Sequence, residues 1–191
     1  RLVDAKREVE ELNERLQHRV ELTTRKLVRY REKLKEKQKL IEERFGFRNI
    51  IGVSFRMEEV FGILEKAAAS DFPVLIRGES GTGKELAAMA VHFNGERRRH
   101  RYLPVNCASL TETLLESELF GHVKGAFTGA ERDTPGLFVL AHNGTIFLDE
   151  IGEMSPDLQA RMLRVIEDHK VLLIGASEEQ TVDVRIIAAT H

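Results

Sequence analysis

The first 45 residues hold no glycine and no proline, and their apolar positions recur at helical spacing within dense charge, which predicts one long helix. Ala5, Val9, Leu12 and Leu16 follow a 4-3-4 spacing, and Val20, Leu27, Leu34 and Ile41 continue a seven-residue repeat with Tyr30 between them. The step from Leu16 to Val20 breaks the heptad as a stutter, which locally unwinds a supercoil without ending it. Thr23 and Lys37 weaken the seam, because they stand where strong coiled coils carry leucine. One narrow stripe cannot bury itself, so the expectation is a coiled-coil linker helix over residues 1–45 that pairs protomers and transmits a signal. Its many lysines and arginines read as a solvated face.

Gly46 is the first breaker, and residues 46–52 form a hinge into a different pattern. Ser54 can cap a helix from about Phe55 to Ser70, with Met57, Val60, Phe61, Leu64 and Ala68 on one face. Asp71-Phe72-Pro73 ends it, and Val74-Leu75-Ile76 is a short buried strand. Further strands are expected at 102–106, 145–149 and 184–189, with helices at 85–93, 111–120 and 156–168. Alternating strands and helices predict an α/β domain over 46–191, with a mostly parallel sheet covered on both faces.

Composition adds few constraints. The 191 residues carry a formal charge of −2, so no global basic excess announces nucleic-acid binding. Cys107 is the only cysteine, which excludes an intrachain disulfide, and no Cys/His cluster has zinc-ligand spacing. No apolar run reaches the length of a membrane span and no signal peptide is present, so a cytoplasmic protein without membrane contact is expected. The chain starts at Arg1 and stops at His191 directly after an apolar strand, and reads as part of something longer.

Gly78-Glu79-Ser80-Gly81-Thr82-Gly83-Lys84 follows a buried strand and opens a helix, the context of a phosphate-binding P-loop. Its glycines let successive N–H groups face a polyphosphate, and Lys84 can reach the β- and γ-phosphates of ATP. The generic pattern places Ser or Thr after the lysine to hold Mg2+, but Glu85 stands there, so the metal needs another ligand. Ile146-Phe147-Leu148 would deliver Asp149 and Glu150 to the strand's C-terminal edge beside that loop. We assign Asp149 to the metal through water and Glu150 to polarising the attacking water. A third segment, Gly125-Ala126-Phe127-Thr128-Gly129-Ala130, would alone be a tight turn around one buried aromatic. Beside the other two it becomes a candidate for what a nucleotide-driven motor moves.

At these positions the chain resembles the bacterial enhancer-binding proteins, AAA+ ATPases that activate sigma-54 RNA polymerase. The resemblance runs from about Asn49 to His191. It rests on Gly78 to Glu85, where the family also has Glu after the lysine, and on Glu116-Ser117-Glu118-Leu119-Phe120-Gly121-His122. It rests equally on Gly125 to Ala130, the GAFTGA loop, and on Ala141-His142-Asn143-Gly144-Thr145-Ile146-Phe147-Leu148-Asp149-Glu150 as a nucleotide-binding segment. The resemblance implies that Phe127 and Thr128 are the tip that touches sigma-54. It implies that Asn106 holds the catalytic Glu150 until the γ-phosphate is sensed, that Ile51 and Gly52 line the adenine, and that Thr190 and His191 occupy the first sensor position. Cys107 is read as having no role.

The family's arginine fingers, helical lid, second sensor arginine and DNA-binding domain are expected beyond His191, so Arg161, Arg164 and Arg185 are not promoted to fingers. Arg98, Arg99 and Arg101 read as a solvated basic loop. The functional expectation is a signal-responsive, ATP-dependent remodeller of closed sigma-54 promoter complexes that works as a ring, with this piece alone poorly active. The alternative is a regulatory coiled-coil and AAA+ interaction module that controls oligomer assembly and is inactive as an ATPase in this truncated form. A family member that only represses is disfavoured by the intact loop.

Overall fold

The computed structural model describes residues 50, 52 and 54–191. The helix expected over 1–45, and Ile51 at the adenine, lie outside the described residues.

Helix α1 (Phe55–Ala68) starts where the sequence predicts, with Ser54 Oγ accepting the Met57 N–H at 3.3 Å. Leu64 and Ala68 of its expected face are buried, but Val60 is 41% exposed. Val60 stands about 100° round the helix from Phe61, at the margin of the stripe, and Ala67 packs inward with Phe61. Strand β1 (Val74–Arg77) and helix α2 (Lys84–Phe93) flank the glycine loop. A 3-10 turn (Glu96–Arg99) then leads into β2 (Tyr102–Asn106) and α3 (Glu112–Phe120).

The segment after α3 forms a small hairpin of β3 (Gly121–His122) and β4 (Thr134–Pro135), followed by the one-turn helix α4 (Leu137–Leu140). Strand β5 (Thr145–Asp149), a 3-10 turn (Ile151–Glu153) and α5 (Pro156–Asp168) come next. A second hairpin, β6 (Lys170–Leu172) and β7 (Glu179–Thr181), precedes β8 (Arg185–Thr190). Neither hairpin is predicted from sequence, because strands of two or three residues carry no readable alternation.

The four main strands form one parallel sheet in the order β1-β8-β5-β2. Alternation along β5 divides the core between its faces. Ile146 and Leu148 point to the side closed by α3, α4 and α5, while Phe147 points to the side closed by α1 and α2. Both faces are thus covered along β5 and β8, as a parallel sheet requires, but β1 is an edge strand and not the buried one expected, with Leu75 59% exposed on the face that no described helix covers.

The N-terminal edge of the sheet is tied by Arg97. Its Nε and Nη2 donate to the Asp71 carboxylate at 2.7 and 2.5 Å, and Nη2 also donates to Asp183 Oδ1 at 2.6 Å. Nη1 donates to the carbonyls of Gly144 and Asp183, each at 3.2 Å. One side chain therefore joins the segments that enter β1, β5 and β8. At the root of the β3–β4 hairpin, a Cβ on Gly121 would stand 2.3 Å from Gly136 N, so only glycine permits the two backbones to meet there.

Candidate nucleotide-binding site

Because all four strands run the same way, the P-loop, Thr190 with His191, Asp149 with Glu150, and Asn106 share one edge of the sheet. Along that edge the end of β8 stands between the glycine loop and the acidic pair. Gly78 N–H donates to the Thr190 carbonyl at 3.2 Å, fastening the loop to the end of β8. Asn106 and Asp149 are register partners across β2 and β5.

The loop opens to solvent at Glu79, Ser80, Gly81 and Thr82. Gly81 and Gly83 hold φ of +80° and +86°, which L side chains resist, and Gly83 forms the N-cap of α2 without a side-chain bond. Thr82 Oγ1 donates to the Glu79 carbonyl at 2.8 Å and braces the turn. Lys84 Nζ is parked on the carbonyls of Gly78 and Glu79 at 2.7 and 3.0 Å. An ammonium resting on loop carbonyls beside a helix N-terminus suits a polyphosphate, which offers it full negative charge instead of partial dipoles. Glu85 is exposed in the first turn of α2.

Asp149 Oδ1 accepts the Glu150 N–H at 3.1 Å. Glu150 itself is held at φ 54° and ψ 46°, a left-handed conformation costing about 1–2 kcal/mol for a residue with a Cβ. Strain of this kind turns the chain sharply at the end of a buried strand, so that two successive carboxylates both reach the edge. His191 Nε2 lies 3.7 Å from Glu150 Oε1. Asn106 does not reach Glu150 in this conformation, because its Oδ1 accepts the Ala108 N–H at 2.9 Å and closes a local turn. Cys107 donates its N–H to the Asp149 carbonyl at 3.0 Å. Its thiol is pushed up to about 12 by burial and by the charges of Asp149 and Glu150, which leaves it unreactive near neutrality.

The described residues contain no cluster of three or more His, Cys, Asp or Glu able to hold a metal ion alone. A lone Asp149 carboxylate beside a phosphate loop fits Mg2+, which keeps several waters and takes its remaining ligands from phosphate oxygens.

The rest of the segment 141–150 does not gather at this edge. Ala141 is buried at the end of α4, His142 Nδ1 accepts the Asp183 N–H, and Asn143 N–H donates to the Asp183 carbonyl. Gly144 and Thr145 therefore sit at the entry of β5, the opposite edge from Asp149, while Ile146, Phe147 and Leu148 are core. Gly52 lies against Met57, where an added Cβ would stand 2.7 Å from the side chain.

In loop 125–130, Gly125 N–H donates to the Ala130 carbonyl at 2.9 Å, and Ala130 is buried at the neck. Thr128 and Gly129 are exposed, and Phe127 is 45% exposed. Two arginines that composition leaves open are engaged elsewhere. Arg161 pairs with Glu116 and covers the Phe120 ring, and Arg185 is buried and donates to the Ala67 carbonyl.

Residues 50–191 match the family model described as Sigma-54 interaction domain. The chain belongs to the Sigma-54 interaction domain family. It is 48% identical over 172 residues to the Nif-specific regulatory protein of Herbaspirillum seropedicae, a match covering 85% of this chain and 32% of that protein. It is 50% identical over 148 residues to the acetoin dehydrogenase operon transcriptional activator AcoR of Bacillus subtilis, covering 77% and 24%. The chain thus spans about a third or less of the length of these curated relatives. Among solved structures, NtrX from Brucella abortus in complex with ADP superposes with a TM-score of 0.71 at 34% identity, covering 86% of this chain and 35% of that one. The ATP complex of the same protein gives 0.72 at 32% identity, again covering 86% and 35%. A Sigma-54 interaction domain is a P-loop nucleotide-binding domain of a transcriptional activator family. No helix among the described residues is long and apolar enough to cross a membrane.

Three residues that shape the domain escape sequence reasoning. Arg97 is hidden in a basic run and its partners are remote in the chain. His92 is 1% exposed, with Nδ1 2.9 Å from Thr145 Oγ1. His122 lies inside a quoted motif that assigned it no task.

Proposed function

We propose that the chain is the motor of a sigma-54-dependent transcriptional activator, hydrolysing ATP to ADP and phosphate to drive loop 125–130 against sigma-54 in the closed promoter complex. The observation that carries this reading is the shared sheet edge, where the phosphate loop, the end of β8 and the Asp149-Glu150 pair stand side by side. Two relatives named as a Nif-specific regulatory protein and an operon transcriptional activator support the transcriptional side.

In this mechanism the N–H groups of 78–84 and Lys84 bind the β- and γ-phosphates, and Lys84 leaves the carbonyls of Gly78 and Glu79 to do so. Asp149 holds the Mg2+ ion through water, and when bound the ion neutralises charge on the phosphate oxygens. Glu150 accepts a hydrogen bond from the attacking water and orients it. Thr190 and His191 read the γ-phosphate from between the loop and Glu150, and Asn106 takes over Glu150 on release. The parking of Arg161 and Arg185 away from the edge supports supply of the missing positive charge by a neighbouring protomer in a ring. Pairing of protomers through residues 1–45 and DNA contact through a further domain complete the proposal for the whole activator.

The experiment is Thr128→Ala in the full-length protein, read by transcription from a sigma-54 promoter and by ATP turnover. Lost activation with retained turnover is the expected result. Normal activation removes the loop from the partner contact.

A further inference from the structure

Loop 125–130 is exposed at its tip and yet lies down on the domain. Gly175, in the turn between β6 and β7, approaches it so closely that a Cβ there would stand 2.9 Å from Ala126 Cβ. Val123 N–H donates to the Ile174 carbonyl at 3.1 Å, and Ile174 N–H donates to the Gly121 carbonyl at 2.9 Å. The Phe127 ring meets the His122 ring edge to face, with centroids 4.9 Å apart and planes at 64°.

The two rings are not equivalent. His122 is fixed by its β-bridges to Thr134 and Ile174, and its Nδ1 is 2.8 Å from Ser117 Oγ on α3. Phe127 sits between Gly125 and Gly129, at φ of +82° and +101°, in a stretch that does not hold a ring by itself. Order therefore flows from His122 to Phe127. Helix α3 also follows the turn made by Asn106 and Ala108, beside the Cys107 to Asp149 bond, so Ser117 rides on an element that begins at the phosphate edge.

We infer that His122 is a positioning residue that holds the Phe127 ring against the domain, so that freeing this ring precedes any reach of the loop toward a partner. The inference rests on the reading of the loop as the partner-contacting element, but the latch belongs to this chain and is measurable without a partner. An edge-to-face pair shifts the docked population by about two- to tenfold.

The sequence holds no tryptophan, so Phe127→Trp places one fluorescent reporter at the tip. In the full chain that residue is expected to be partly shielded from acrylamide. Adding His122→Ala or His122→Gln should red-shift its emission and raise its quenching constant. Adding His122→Phe should restore the shield, because an aromatic edge is kept without the imidazole nitrogens. Equal quenching with and without the His122 ring, in variants whose circular dichroism matches the parent, overturns the latch. Should His122→Ala fail to fold, the comparison of His122→Gln with His122→Phe decides by the same criterion. Purified sigma-54, offered to proteins that keep Phe127, separates the two readings: increased binding when the His122 ring is removed supports both, and raised quenching in the Phe127→Trp series with no binding by any Phe127 protein removes the partner while leaving the latch.

Discussion

His191 Nε2 stands 3.7 Å from Glu150 Oε1, joining the last residue of one strand's exit to the strained turn at the end of its neighbour. The residues proposed as sensor and as water-polarising carboxylate are therefore already in touch, although they arise from separate parts of the chain. Glu150→Gln keeps the shape of the turn and removes the charge. In the full-length assembly it should retain nucleotide binding while phosphate release falls at least about 100-fold. Persistent turnover removes Glu150 from that role. His191→Ala, measured the same way, should slow release by about tenfold, a smaller effect than loss of the carboxylate itself.

Asn106 has two tasks that one substitution separates. Its Oδ1 braces the turn at Ala108, and its amide is the group proposed to hold Glu150. Asn106→Ser keeps an uncharged acceptor for the Ala108 N–H and adds no carboxylate beside Asp149, so the unfolding free energy should stay within about 0.5 kcal/mol of the parent. Asn106→Ala loses the turn bond and about 1 kcal/mol. Both should uncouple ATP turnover from sigma-54 engagement. A coupled Asn106→Ser protein places the switch elsewhere.

His92 predicts an acid-sensitive fold. Its pKa is lowered from 6.5 to about 4, first by burial and then by the Arg185 charge, so the ring is neutral in the native state. The unfolded chain binds this proton below 6.5 while the folded one resists it down to about 4, so stability is whole above 6.5 and falls as pH drops through that window. The full shift corresponds to about 3 kcal/mol. Urea midpoints taken across the window should show this slope, and His92→Gln should flatten it. An unchanged slope assigns the acid sensitivity to other groups.

Arg97 is the structural tie most exposed to a conservative error. Burial works to lower its pKa, and the bonds to Asp71 and Asp183 outweigh that and raise it. Arg97→Ala should cost about 1–2 kcal/mol, because two carbonyls lose a donor while the half-exposed carboxylates of Asp71 and Asp183 are rehydrated. Arg97→Lys should recover less than half of that, since a point charge cannot fill a fork of planar donors. Chemical denaturation of the three proteins measures both. Full rescue by lysine would show that charge alone ties the edge.

Much of the sheet was legible because its strands are continuous apolar runs ending in special residues. Thr145 to Asp149 combines a buried strand with a chemically distinctive exit, whereas Val74-Leu75-Ile76, expected to be buried, is an edge strand with Leu75 59% exposed. Val60 was misread because an amphipathic stripe has margins that only the facing sheet defines. The β3–β4 and β6–β7 hairpins were invisible because two or three residues cannot express a period, and their pairing depends on the Gly121 and Gly136 backbones meeting. The resemblance takes in 141–150 as one run, and only the fold separates its ends, because β5 carries Thr145 and Asp149 to opposite edges of the sheet.

By itself the sequence determined the α/β alternation, the family, and the identity of the groups that can hold phosphate and orient water, since glycines, Lys84 and a paired carboxylate have few other uses at that spacing. The tertiary structure decided which of them meet. Parallel pairing in the order β1-β8-β5-β2 sets His191 beside Glu150 and Asn106 beside Asp149. The meeting of remote backbones lays Phe127 on His122, and the guanidinium of Arg97 gathers Asp71 and Asp183. Those contacts depend on three-dimensional closure between distant segments, which no local period along the chain encodes.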